Sequence, residues 1–151
     1  MIKQNLSVTL LALCMSATIW GQADEKKCIF ISTSHLDTQW NWTARTTLEE
    51  YIPNTMTQNF PLFEKYPDFH FNFEAAIHYM WMKEYYPAQY EEMKKYIREG
   101  RWHISGASWD ANDVLVPSTE SVIRNIMLGQ EYYRQEFGVE STDIFLPDCF
   151  G

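Results

Sequence analysis

An imidazole and a carboxylate stand two positions apart at His35 and Asp37, directly after the strand-like run Cys28 to Ser34, and a second acid, Asp148, follows the run Ile144 to Leu146. In an extended chain, residues two apart point to one side, so His35 and Asp37 can offer a nitrogen and an oxygen to one ion. If both runs are parallel strands of an α/β fold, their carboxyl ends share a rim, and Asp148 joins the pair there. One nitrogen and two oxygens suit zinc best, with other divalent ions open. A lone His-x-Asp is a weak signal, because polar clusters often satisfy strand-end backbone groups; an acid recurring at a second strand end strengthens it. Trp40 and Trp42 follow at once, and aromatic rings beside a carboxylate-rich site suit a ligand with C–H faces, such as a sugar.

The elements that must position these groups are legible as alternation. β-rich runs at Cys28 to Ser34, Phe69 to Phe73, Trp102 to Ser105 and Ile144 to Leu146 are separated by helical stretches at Thr46 to Lys65, Ala75 to Glu99 and Ser118 to Phe137. Strand, helix, strand repeated in this way implies parallel strands with right-handed crossovers. Ser118 stands as a hydroxyl cap ahead of Glu120, Gly100 and Gly138 sit where helices stop, and Pro53 and Pro87 are expected to kink or split theirs. Ile123, Ile126, Met127 and Tyr133 approximate one helical face and are expected in the core. Four β/α units are too few to close a barrel, and no helix follows to cover Ile144 to Leu146, so the chain reads as the front part of a larger catalytic domain. A complete small flavodoxin-like domain is the alternative.

An apolar content of 46% with 16% aromatics is ample for a core. The first 23 residues read as a secretory leader: Lys3 supplies the positive end, Leu6 to Ile19 is mostly apolar, and Gly21-Gln22-Ala23 offers small residues for cleavage. The mature chain, 24–151, is therefore expected in the periplasm or outside the cell, with no transmembrane segment. Lipid anchoring is the weaker reading, since Cys14 follows Leu13 rather than a small residue. The formal net charge of −8 and the absence of a basic stripe argue against nucleic acid as a partner. Cys28 opens one strand and Cys149 follows the close of another, about seven residues apart in level at roughly 3.3 Å each, so both thiols are expected to be free and packed.

These residues also carry a family resemblance. The segment His35-Leu36-Asp37-Thr38-Gln39-Trp40-Asn41-Trp42 resembles the opening motif of glycoside hydrolase family 38, the retaining α-mannosidases. Gly106-Ala107-Ser108-Trp109-Asp110-Ala111-Asn112-Asp113, followed by Pro117-Ser118, Glu120-Ser121 and Arg124, is similar to a second family segment, and Leu146-Pro147-Asp148-Cys149-Phe150-Gly151 to a third. The resemblance implies an α/β fold, the front half of a (β/α)7 barrel-like domain ending here after about four strands. It also implies a zinc ion held by His35, Asp37 and Asp148, with Asp148 doubling as catalytic nucleophile. Trp40 would lie against the mannose of a glycan substrate, and Trp42, Trp109 and Asp113 are the further candidates for substrate contact. Thr119, Cys149 and Asn41 depart from the usual family residues without removing a matched catalytic position, while Asn41 and Asp110 leave sugar specificity open.

A retaining glycosidase needs a second carboxyl group about 5 Å from the first. In the family that acid and a further zinc-binding histidine come from beyond the matched region, so a chain ending at Gly151 is expected to be inactive alone. His70, His78 and His103 are expected to be structural. Two other readings use the same residues: a metal-dependent polysaccharide deacetylase, and a non-catalytic carbohydrate-binding module built on Trp40, Trp42 and Trp109.

Overall fold

The computed structural model describes Cys28 and residues 30–148. The leader expected at Met1 to Ala23, and Cys149, Phe150 and Gly151, lie outside the described residues. Residues 31–151 form one compact unit; of the other, 1–30, Cys28 and Phe30 are described, and both are exposed. Cys28 is thus a free thiol, as expected, but it is not packed. No helix among the described residues is long and apolar enough to cross a membrane.

Three short parallel strands form the sheet in the order β1-β2-β3: β1 Ser32–Ser34, β2 Phe71–Phe73 and β3 Trp102–Ile104. Their registers align Ser34 with Phe73 and Phe73 with Ile104, so the strands end level. One face carries Phe71, Phe73 and Trp102 into a core closed by helices. The opposite face presents Thr33, Asn72 and His103, none of them buried. A fourth strand was expected at Ile144 to Leu146, but this segment pairs with no strand among the described residues. It docks instead beyond β3, where Gly106 at φ +69° turns the chain and Ala107 N–H donates to the Asp143 carbonyl at 3.1 Å. The Asp143 carboxylate also receives Ser105 Oγ and the Gly106 N–H, each at 2.9 Å. Those hydrogen bonds hold its pKa below the ordinary value against the opposing effect of burial.

Proline chemistry explains how the helices depart from the simple alternation. The first helical stretch begins with an α turn at Ala44–Thr46, passes through π-helical turns at Thr47–Tyr51 and continues as α1, Ile52–Lys65. In the wider register Ile52 N–H bonds the Thr47 carbonyl, and the Leu48 carbonyl would next need an N–H from Pro53, which has none. The Tyr86 hydroxyl donates to Leu48 O at 2.8 Å instead. Pro87 splits the next stretch into α2, Ala76–Tyr85, and α3, Pro87–Arg98, because the residue before a proline is driven out of the helical region: Tyr86 lies at φ −133°, ψ 54°.

The last helix, α4 at Thr119–Phe137, is capped by Ser118, whose Oγ receives Ser121 N–H at 3.2 Å, and closed by left-handed Gly138. Its buried face runs through Gly129 and Tyr133, the latter as expected; Ile126 is half-buried, and Ile123 and Met127 are 47% and 64% exposed, which corrects their place in the core. The reason is a close approach. A Cβ on Gly129 would meet Ala107 O at 2.3 Å, so the helix must turn its glycine, not Ile123 and Met127, toward the chain that follows β3.

Candidate metal centre

Level strand ends place the residues that follow them side by side. His35 comes directly after β1 and Glu74 directly after β2, and because Ser34 pairs with Phe73 the two side chains emerge as neighbours. His35 Nδ1 meets Glu74 Oε1 at 2.5 Å. Glu74 is 3% exposed and is followed by Ala75 at φ +67°, ψ 110°, a backbone conformation that a residue with a Cβ rarely adopts. Ala76 and Ile77 N–H groups bond the carbonyls of Ser108 and Trp109 and hold that turn.

On the other side of the imidazole, His35 Nε2 lies 3.2 Å from Asp37 Oδ1 and 3.5 Å from Asp148 Oδ2. Although close, neither contact has hydrogen-bond geometry, and this buried nitrogen has no hydrogen-bond partner. One ligand atom from each of His35, Asp37 and Asp148 lies within 4.8 Å of the others. Glu74 occupies the Nδ1 side of the ring, so Nε2 is the ring nitrogen left facing two carboxylates, and a positive charge between them relieves that arrangement. The donor set therefore fits a divalent cation. Burial alone draws the His35 pKa down, but the hydrogen bond and charge of Glu74, with Asp37 and Asp148, outweigh it and leave the pKa raised. Glu74 is itself raised, chiefly by burial, against the lowering effect of His35.

The centre opens into a cleft of about 570 Å³ lined by His35, Asp37, Trp40, Asp113 and Asp148, with Leu115 and Val116 on an apolar flank. Trp40 is 66% exposed and offers a ring to that space. Asp113 lines it too, but its Oδ1 receives the N–H groups of Leu115 and Val116 and so shapes the loop. Trp42 and Trp109 do not line this cleft. Trp42 donates to Thr47 Oγ1 at 2.8 Å and stands edge-on to Tyr51, and Trp109 stands edge-on to Tyr132 beside the core. Asp110 is likewise occupied, receiving the Thr38 hydroxyl at 2.7 Å and Ala111 N–H at 2.8 Å.

Sequence reasoning missed Glu74, and it missed what His78 holds. Glu74 carried a signal, since it follows its strand as His35 follows β1. The Nε2 of buried His78 lies 3.1 Å from Thr38 Oγ1, and its pKa is lowered to about 4, mainly by burial. His78 is structural, as expected. His70 and His103 are exposed and stack on each other, with Nδ1 and Nε2 2.9 Å apart.

Comparison with known proteins gives a consistent picture. The family model described as "Glycosyl hydrolases family 38 N-terminal domain" matches residues 25–151. Alpha-mannosidase G of Dictyostelium discoideum is 38% identical over 117 residues, and Alpha-mannosidase 2C1 of Homo sapiens is 32% identical over the same length. Each match covers 78% of this chain, which spans 11% of the length of either relative. Among solved structures, a glycosyl hydrolase family 38 protein from Enterococcus faecalis shares the fold at a TM-score of 0.67 and 24% identity, over 85% of this chain and 15% of that one.

Proposed function

Since the chain belongs to glycosyl hydrolase family 38, we propose that it supplies the metal-binding and nucleophile-bearing part of a retaining, zinc-dependent α-mannosidase acting on mannose-containing glycans. The observation that carries this reading is the convergence of His35, Asp37 and Asp148 within 4.8 Å around an imidazole nitrogen that has no hydrogen-bond partner. These three side chains would hold the ion. When bound, zinc supplies Lewis acidity toward sugar hydroxyls.

The remaining chemistry belongs to the chain. Trp40 presents its face to the C–H side of the sugar. Asp148, at the mouth of the cleft with its side chain 66% exposed, attacks the anomeric carbon as the glycosidic C–O bond breaks and the departing oxygen takes a proton from the acid–base carboxyl; water, deprotonated by that same carboxyl, then hydrolyses the resulting glycosyl ester. The acid–base carboxyl belongs to a segment outside the matched residues, as the family resemblance implies. Residues 24–151 form the first part of a (β/α)7 barrel-like domain, a reading supported by three parallel strands lying in sequence order. The leader reading of residues 1–23 sends the protein to the periplasm or beyond, on the strength of Lys3 and the apolar run that follows.

An aryl α-mannoside assay on the protein carrying this chain tests the activity. Asp148→Ala is expected to cut turnover by at least about a thousandfold, the order of loss when a covalent nucleophile is removed. A fluoroglycoside is expected to label the wild-type protein at Asp148 and the variant nowhere. Full turnover by the variant, or labelling elsewhere, overturns the reading.

A further inference from the structure

Glu74 has no part in the cleft. Its side chain is only 5% exposed, and what it touches is His35 Nδ1. Everything about its setting serves that contact. The level ends of β1 and β2 bring the two residues together, and the uncommon backbone of Ala75 begins α2 immediately after Glu74, so its carboxylate is held at the sheet rim and not carried into a longer strand. Backbone conformations of this kind persist only where surrounding structure enforces them, here the hydrogen bonds from Ala76 and Ile77 to the chain after β3.

A neutral imidazole carries one proton, and a carboxylate that accepts it at Nδ1 obliges Nε2 to be the bare nitrogen. Nε2 is the atom that faces Asp37 and Asp148. We propose that Glu74 is a positioning residue of the metal centre: it selects the Nδ1–H tautomer of His35, aims Nε2 at the ion and makes that nitrogen a stronger donor. This rests on the metal-centre reading above. It adds a residue that touches neither ion nor sugar and acts only through His35.

The test uses the protein carrying this chain, with Glu74→Ala and Glu74→Gln, and reads zinc affinity by chelator competition together with the tautomer of His35 by nitrogen NMR of the metal-free protein at alkaline pH. Glu74→Ala is expected to weaken zinc binding about 10- to 100-fold, the usual cost of losing such a partner, and to shift His35 toward a mixture of tautomers. Glu74→Gln keeps an oxygen that accepts the proton, so it is expected to recover part of the affinity and most of the tautomer preference. Mannoside turnover lost by Glu74→Ala should return at saturating zinc, which a merely structural lesion would not allow. Wild-type affinity with an unchanged tautomer in both variants overturns the proposal, and Glu74→Gln keeps it decidable if Glu74→Ala fails to fold. Failure of the wild-type protein itself to bind zinc sinks the metal-centre reading along with it, whereas failure confined to the variants sinks only the role of Glu74.

Discussion

His78 shows how burial sets the chemistry of a single side chain. Buried on the inner side of α2 and held at Thr38, it is kept neutral, with its pKa lowered to about 4 chiefly by burial. In the unfolded chain it returns to about 6.5. Between those values the unfolded state binds the extra proton, so folding stability is fully present above about pH 6.5 and declines as pH falls toward about 4. His78→Gln, whose amide can still donate to Thr38 Oγ1, is expected to flatten that decline even if it lowers stability overall. Denaturant unfolding across this range, with chelator throughout, checks it, and an unchanged slope would assign the acid sensitivity elsewhere. His35 moves the other way: burial draws its pKa down, but the hydrogen bond and charge of Glu74, with the charges of Asp37 and Asp148, raise it.

At the level of elements, the site depends on how α4 is seated. Gly129 lets the helix backbone approach the chain after β3, and Trp109 N–H donates to the Asn125 carbonyl at 2.8 Å across the contact. Asn125 continues the join, with Oδ1 receiving Asp110 N–H at 3.0 Å and Nδ2 donating to Asp110 O at 2.8 Å. A methyl group at Gly129 would strike three backbone atoms between 2.3 and 2.6 Å away, none of which can rotate aside. Gly129→Ala is therefore expected to cost on the order of 1–3 kcal/mol, the range for overpacking a tight contact, despite the better helix propensity of alanine. Thermal unfolding measures this, and a neutral or raised Tm would mean that α4 can shift without loss. Because the same contact carries Asp110 and the loop to Val116, the substitution is also expected, under the proposed mannosidase function, to raise KM in the aryl α-mannoside assay more than it lowers kcat.

For the whole molecule, the metal centre proposed for the charge cluster at the rim of a short three-stranded sheet would make stability a function of metal. Zinc at about 100 times its Kd is expected to add about 2.7 kcal/mol and to raise Tm by roughly 5–10 °C for a unit of this size; chelation should reverse the shift, and a Tm indifferent to both would argue against a preformed centre. The alternation of apolar runs with helical stretches was enough to determine an α/β fold with parallel strands, since periodicity and proline and glycine punctuation are local properties. The motifs at His35, Asp37 and Asp148 named three side chains that the fold brings within 4.8 Å of one another, because their chemistry is written in residue type and in position after a strand. Other features lay beyond local reading. Whether Ile144 to Leu146 joins the sheet depends on the turn at Gly106, and which face of α4 is buried depends on a backbone contact at Gly129. That Glu74 would meet His35 depends on the register between β1 and β2. Each is a relation between segments distant in the chain, and only the packed structure decides which distant segments meet.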